Sequence, residues 1–294
     1  MCSRTPGRRA RSPHLLPKAP AGWAFRFGGG PPARGFIQSE RFAARSGGCA
    51  SAPTRGIDDP NGHAVTAPEP ADPVVVDFPL RGTGWVAVTS PAERVPSHGT
   101  DLLGQRFAYD FVRVDDRPGL HPHPAPTLRY LLIGGRTREA YAWDAAIHAP
   151  FDGVVVAAGD GRAEPAWLHP ARDAGRMLWN GLTFRPSRLA AVMGNHVILE
   201  HADRPGLFAG VAHLIPGSAA RVGTRVAAGD WIGRVGHTGN STTPHLHFQL
   251  MDSADLLSAT GVPCAFNGCE VLTGDWWVPR DGLVPGRSER LRRL

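Results

Sequence analysis

From about residue 71 onward, short apolar runs alternate with glycine, proline and aspartate turns. Val74–Leu80, Trp85–Thr89 and Arg106–Val114 read as strands on this pattern. Asp152–Gly161 (DGVVVAAGDG), Gly194–His201 (GNHVILEH) and Gly206–Leu214 (GLFAGVAHL) continue the rhythm, followed by Arg221–Val226, Gly229–Gly236 and His245–Met251. Strands recurring at this short spacing, with turn signals between them, predict an all-β fold: an antiparallel sheet closed into a barrel or sandwich, with loop insertions. The stretch 162–190 breaks the rhythm and reads as one such insertion loop. No fixed period signals a solenoid.

Residues 1–70 have no such texture. They mix Arg, Pro, Gly and Ser without apolar periodicity, as in FGGGPPARG, and read as a disordered basic tail. The folded domain is therefore expected over 71–285, with a frayed basic C-terminus at 286–294. The tail shows no secretory pattern of charge, apolar run and small-residue cleavage site, so its residues give no support for export.

Composition sharpens this division. The 294 residues carry a formal net charge of +6. Residues 1–55 hold nine arginines and Lys18 against Glu40, a local charge of +9, and the remainder carries −3. The basicity thus belongs to the tail. With no aromatic-basic stripe in the body, a nucleic-acid partner is not expected. No run is apolar for long enough to cross a membrane as a helix. Lys18 is the only lysine, so a biotinyl or lipoyl carrier is excluded although VAAGDWIGRVG resembles a carrier hairpin. Four cysteines are too few for a disulfide scaffold in this length. Cys264 and Cys269, five apart across an expected turn, either pair or pack.

The chemistry concentrates in histidines. His245-Leu246-His247 places two imidazoles on one face of a strand, roughly 6.6 Å apart at Cα. Leu246, Phe248 and Leu250 take the opposite, core-facing side. Neutral imidazole is a preferred zinc ligand, and a catalytic zinc site needs three protein ligands. Asp110 is the best carboxylate: it interrupts the apolar strand Phe107–Val112, where an unpaired charge is costly. Asp101 competes from a turn-like segment, 96–101, that can swing His98 back over the sheet. His213 ends another strand beside the same cleft. His201 ends a strand near that cleft, whereas His196 is read as packing. His121 and His123, in LHPHPAP, are read as solvated, and His148 as a turn residue.

The segment GVAHL…RVGTRVAAGDWIGRVGHTGNSTTPHLHFQL resembles the M23 peptidases, the lysostaphin and LytM-type zinc endopeptidases. AIHAPFDGVVVAAGDG and GNHVILEH are similar to the family's preceding strands, and the likeness runs from about His98 to Leu250. It implies zinc held by His98, Asp110 and His247, with His213 and His245 assisting water activation and stabilising the oxyanion. It also implies peptidoglycan stem or cross-bridge peptides as substrate and a cell-envelope or extracellular location. Two departures stand out. Eleven residues separate His98 from Asp110, where the family has His-x-x-x-Asp, and Val211 replaces the family's aromatic ahead of Ala-His-Leu. The competing expectation is a non-catalytic LytM-like module that binds or regulates during cell-wall remodelling.

Overall fold

The computed structural model describes residues 72–287 and 289–294; the basic tail expected at 1–70 lies outside the described residues. Phe78, Trp85, Tyr109, Phe111, Phe248 and Phe266 are fully buried and anchor the larger core cluster. Five of these rings meet edge-on or stacked, Phe78 and Tyr109 each lying within 5.5 Å of Phe111, and Phe248 within 5.3 Å of Phe266. Period-2 alternation places them there. In Leu246–Met251 the even-numbered Leu246, Phe248 and Leu250 enter this core, and His247 and Gln249 face the other side.

The sheet built on this core has eleven strands, antiparallel throughout. Its order runs Arg225–Val226, Gly153–Gly159, His196–His201, Phe208–Ala212, Leu246–Met251, Tyr109–Arg113, Gly82–Thr89, Leu291–Arg293, Cys269–Thr273 and Trp276–Arg280. Gly261–Val262 pairs beside Leu246–Met251. One pair is parallel, Val74–Asp77 with Cys264–Asn267. The all-β, antiparallel class expected from the sequence is therefore the one observed. Among the described residues, no helix is long and apolar enough to cross a membrane.

Two sequence expectations need correction, and one left open is resolved. The stretch 162–190 is not a plain loop: it contains the 13-residue helix Pro170–Leu182, with Pro170 in its first turn and His169 as N-cap. Within this helix only Asp173 is buried, and Met177, Leu178, Trp179 and Leu182 are exposed. The helix is amphipathic, with Ala171, Ala174, Leu178 and Leu182 at helical spacing, but that apolar face is exposed instead of packing on a core.

The C-terminus does not fray through 286–294. Leu291–Arg293 pairs with Gly82–Thr89 on one side and Cys269–Thr273 on the other, with Leu291 buried. The flanking arginines pair rather than solvate: Arg292 with Glu270, and Arg293 with Asp77 and the Phe78 carbonyl. The folded sheet therefore runs beyond residue 285.

Cys264 and Cys269 end on successive strands either side of Gly268 and remain free, buried thiols. Of the two outcomes left open, they pack.

Candidate functional site

One line across the sheet assembles the site. His196 registers with Ala212, Ala212 with His247, and His247 with Asp110 on the next antiparallel strand. Residues directly opposite on one face have their side chains within contact distance. Asp110 therefore meets His247 as a cross-strand neighbour, on an interior strand rather than at an edge. His213 leaves Phe208–Ala212 at φ 66°, a left-handed backbone rarely adopted by non-glycine residues, and this turns its ring beside His245.

His98 arrives from the long upstream loop. The eleven residues between His98 and Asp110 do not separate them, because the loop folds back on itself. The Ser97 N–H donates to the Arg106 carbonyl and its Oγ donates to Ala108 O at 2.7 Å. Gly104, at φ 72°, lets this loop press on the site: a Cβ there would lie 2.9 Å from Gln249 Nε2. Leu103 O accepts from that same amide at 2.8 Å. Asp101 is exposed and paired with Arg106, so it plays no part in the cluster.

For neutral rings, the surrounding hydrogen bonds assign which ring nitrogen carries the proton. Gln249 donates its amide to Leu103 O, so its Oε1 accepts from His247 Nε2–H at 2.9 Å. The other nitrogen, Nδ1, then faces Asp110 Oδ1 at 2.9 Å with a lone pair. His98 follows the same logic. Ser97 Oγ, already donating to Ala108 O, accepts from Nδ1, and Nε2 faces Asp110 Oδ2 at 3.0 Å. His213 and His245 donate Nδ1–H to the carbonyls of Thr238 and Thr243, at 2.8 and 2.7 Å. Their Nε2 atoms are left free, and that of His245 lies 3.4 Å from Asp110 Oδ1.

Lone pairs set against a carboxylate at 3 Å call for a positive charge between them. Protons on the imidazoles meet that demand in part, and a divalent cation meets it fully. His98, Asp110 and His247 each offer one ligand atom, all within 4.8 Å of one another. Two imidazoles and one carboxylate form a donor set suited to zinc.

The electrostatics agree with a cluster built around one negative charge. Burial opposes ionisation of Asp110, yet the positive charge of His98 and His245, and hydrogen bonds from His245 and His247 when those rings are protonated, hold it well below the usual carboxylate range. Burial disfavours the charged form of His245, but Asp110 outweighs burial and raises its pKa. His213 is pushed well below the ordinary imidazole value by burial, then by His245 and His247. The rings open on a cleft of about 140 Å³ walled by Gln105, Met177, Val192, Met193, Asn240 and Thr242.

All five residues singled out from the sequence, His98, Asp110, His213, His245 and His247, line this cleft. Other histidine expectations are corrected. His201 sits at the opposite strand end, opposite Gly153 and stacked on Phe151, away from the cleft. His196, read as packing, lies against Gly159 in the row of the site, with Nδ1 on the Gly194 carbonyl. His123 is buried, stacked on Tyr130, because Gly135 gives its ring room. His148 closes the strand Ala146–His148.

Several supporting groups went unread in the sequence: Ser97, Gln249, Ser241, His237 and Asp173. Gln249 was legible as the next residue on the His247 face. His237 and Asp173 lie 64 positions apart and carry no joint sequence signal.

Residues 139–258 match the sequence model of Peptidase family M23. The M23 resemblance is thereby shown over this stretch. The match contains His213, His245 and His247, while His98 and Asp110 lie upstream of it. Similar solved structures include a putative M23 peptidase from Pseudomonas aeruginosa, at 22% identity over 38% of this chain and 35% of that one, with a TM-score of 0.25. A zinc-containing peptidase from Vibrio cholerae is 20% identical over 66% of this chain and 39% of that one, with a TM-score of 0.28. The catalytic domain of lysostaphin from Staphylococcus simulans is 23% identical over 48% of this chain and 82% of that one, with a TM-score of 0.25. This chain thus spans 35% and 39% of the length of the first two.

Proposed function

We propose that this protein is a zinc-dependent endopeptidase that hydrolyses peptide bonds in peptidoglycan stem or cross-bridge peptides. One observation carries the reading: two imidazole nitrogens and one carboxylate converge within 4.8 Å, each imidazole held by a protein hydrogen bond on its far side. Outer hydrogen bonds of this kind orient metal ligands. The M23 match supports the peptidase class and the peptidoglycan substrate.

His98 Nε2, Asp110 and His247 Nδ1 would hold the metal. Zinc bound there supplies a Lewis acid and brings the pKa of water toward about 7. His245 stands beside Asp110 with Nε2 free to take a proton from the attacking water. His213, neutral through burial, presents a second free Nε2 in the same cleft. An imidazole that has taken the proton becomes a donor to the oxyanion of the tetrahedral carbon, and then to the leaving amine. Thr243 O and Thr238 O keep both rings aimed while this happens.

The test is hydrolysis of purified peptidoglycan by the full chain, followed by release of new amino groups. The reading expects release that a zinc chelator stops and added zinc restores. Metal loading without any release would instead favour the non-catalytic wall-binding module.

A further inference from the structure

Helix Pro170–Leu182 contributes one buried side chain, and it is charged. Asp173 is fully buried, and its carboxylate accepts from the His169 N–H at 2.9 Å and from Arg172 Nε at 3.2 Å. On its inner side, Oδ2 faces His237 Nε2 at 3.7 Å. That ring is fully buried too, and no hydrogen-bond acceptor lies within reach of its Nε2. His237 Nδ1 lies 2.8 Å from Ser241 Oγ, and Ser241 Oγ lies 3.1 Å from His245 Nδ1. Four side chains thus run in series from the inserted helix to a ring of the cleft.

Proton placement gives this series a direction. Burial works against ionised Asp173, but the His237 contact, the His169 N–H and Arg172 outweigh it and hold the carboxyl well below the usual range. An ionised carboxylate facing Nε2 puts the proton of a neutral His237 ring on that nitrogen. Nδ1 is then an acceptor at 2.8 Å for the single Ser241 hydroxyl proton, for which the Thr243 carbonyl at 2.7 Å competes. Ser241 Oγ keeps its lone pairs for His245 Nδ1–H, which it shares with Thr243 O.

We propose that Asp173 is a positioning residue for His245, acting through His237 and Ser241, so that the inserted helix sets the aim of the proton-accepting ring. This rests on the peptidase reading for the role of His245. Neither Asp173 nor His237 touches the cleft, and neither is a metal ligand. The segment that looks like a loop between strands is therefore tied to the site by a chain of buried polar groups. The link from Asp173 to His237 is electrostatic at 3.7 Å, and the links from His237 through Ser241 to His245 are at hydrogen-bond distance.

The experiment compares the full chain with Asp173→Asn and His237→Phe, and with Arg172→Ala, which strips Asp173 of an outer partner but leaves the series whole. Metal content, kcat and KM on a peptidoglycan peptide, and the imidazole N–H proton and ¹⁵N resonances are measured. Asp173→Asn and His237→Phe are expected to lower kcat by ~10-fold with KM and metal content unchanged, the size seen for outer partners of metal-site residues. The His245 Nδ1–H resonance should broaden or shift in both variants, and Arg172→Ala should match the parent. Unchanged kcat and an unmoved His245 resonance in the two folded variants overturn the proposal. If either variant fails to fold, the parent decides: ¹⁵N shifts must show His237 protonated at Nε2 and bare at Nδ1, and the opposite tautomer overturns it. Absence of hydrolysis by the parent would sink the peptidase reading alone, since the resonances still report the series.

Discussion

His247 Nδ1 lies 2.9 Å from Asp110 Oδ1, and the far nitrogen of the same ring is committed to Gln249. The sheet register makes the first contact, and the upstream loop, through Leu103 O, makes the second. A ring fixed at both ends turns a lone pair on a carboxylate, and that is the local signature of a cation site.

Gln249 should therefore matter for metal affinity without being a ligand. Gln249→Leu leaves His247 Nε2–H without an acceptor in a buried place. Zinc affinity, read by chelator competition, is expected to fall by about 10- to 100-fold. Gln249→Glu keeps the acceptor and should retain more affinity than Gln249→Leu. Equal affinity in both variants would show that the amide does not orient the ring.

The two carboxylates that compete in the sequence are separable in the same assay. Asp110→Ala is expected to abolish zinc binding, because it removes the charge facing His98, His245 and His247. Asp101→Ala removes an exposed partner of Arg106 and should bind zinc as the parent does. Surface pairs of that kind contribute about 1 kcal/mol or less to stability.

Much of this was readable beforehand, for reasons that name particular residues. Period-2 alternation in Leu246–Met251 put His247 and Phe248 on opposite faces, Phe248 in the larger core and His247 at the buried floor of the cleft. The charge of Asp110 stood out inside an apolar strand. Contacts closed by long loops were not legible. Nothing in the spacing of His98 and Asp110 indicates that Ser97 folds back onto Arg106 and Ala108. Helix Pro170–Leu182 went unread although Ala171, Ala174, Leu178 and Leu182 recur at helical spacing, because Gly175 and Gly181 interrupt it and its one buried residue is an aspartate. The Leu291 strand was hidden because a single apolar residue among arginines gives no period, and pairing with Glu270 and Asp77 came from elsewhere in the chain.

The buried charge of Asp173 predicts how stability responds to acid. Its carboxyl titrates lower in the folded protein than in the unfolded chain, where the value is near 3.8. The stability it contributes is complete above that unfolded value and is lost as pH falls toward the folded one. Thermal unfolding of the parent and Asp173→Asn should thus differ most above about pH 4 and converge below it. A difference that grows on acidification would contradict the assignment of a paired, ionised Asp173.

Cys264 and Cys269 should be inert while the protein is folded. Burial raises the Cys264 thiol far above its usual value and pushes Cys269 up to about 11, so thiolate is scarce at neutral pH. A thiol reagent is expected to label neither in the native state and both in denaturant. Rapid native labelling would mean that the edge of the core around Phe266 opens readily.

The central claim is that His98, Asp110 and His247 hold a zinc ion that makes this protein a peptidase. The most direct measurement is zinc content and peptidoglycan hydrolysis on the same preparations of the full chain and of His247→Ala. The account predicts about one zinc per chain and hydrolysis in the parent, with both lost in His247→Ala. Zinc retained at parental affinity in His247→Ala, with peptidoglycan still cleaved, would contradict it.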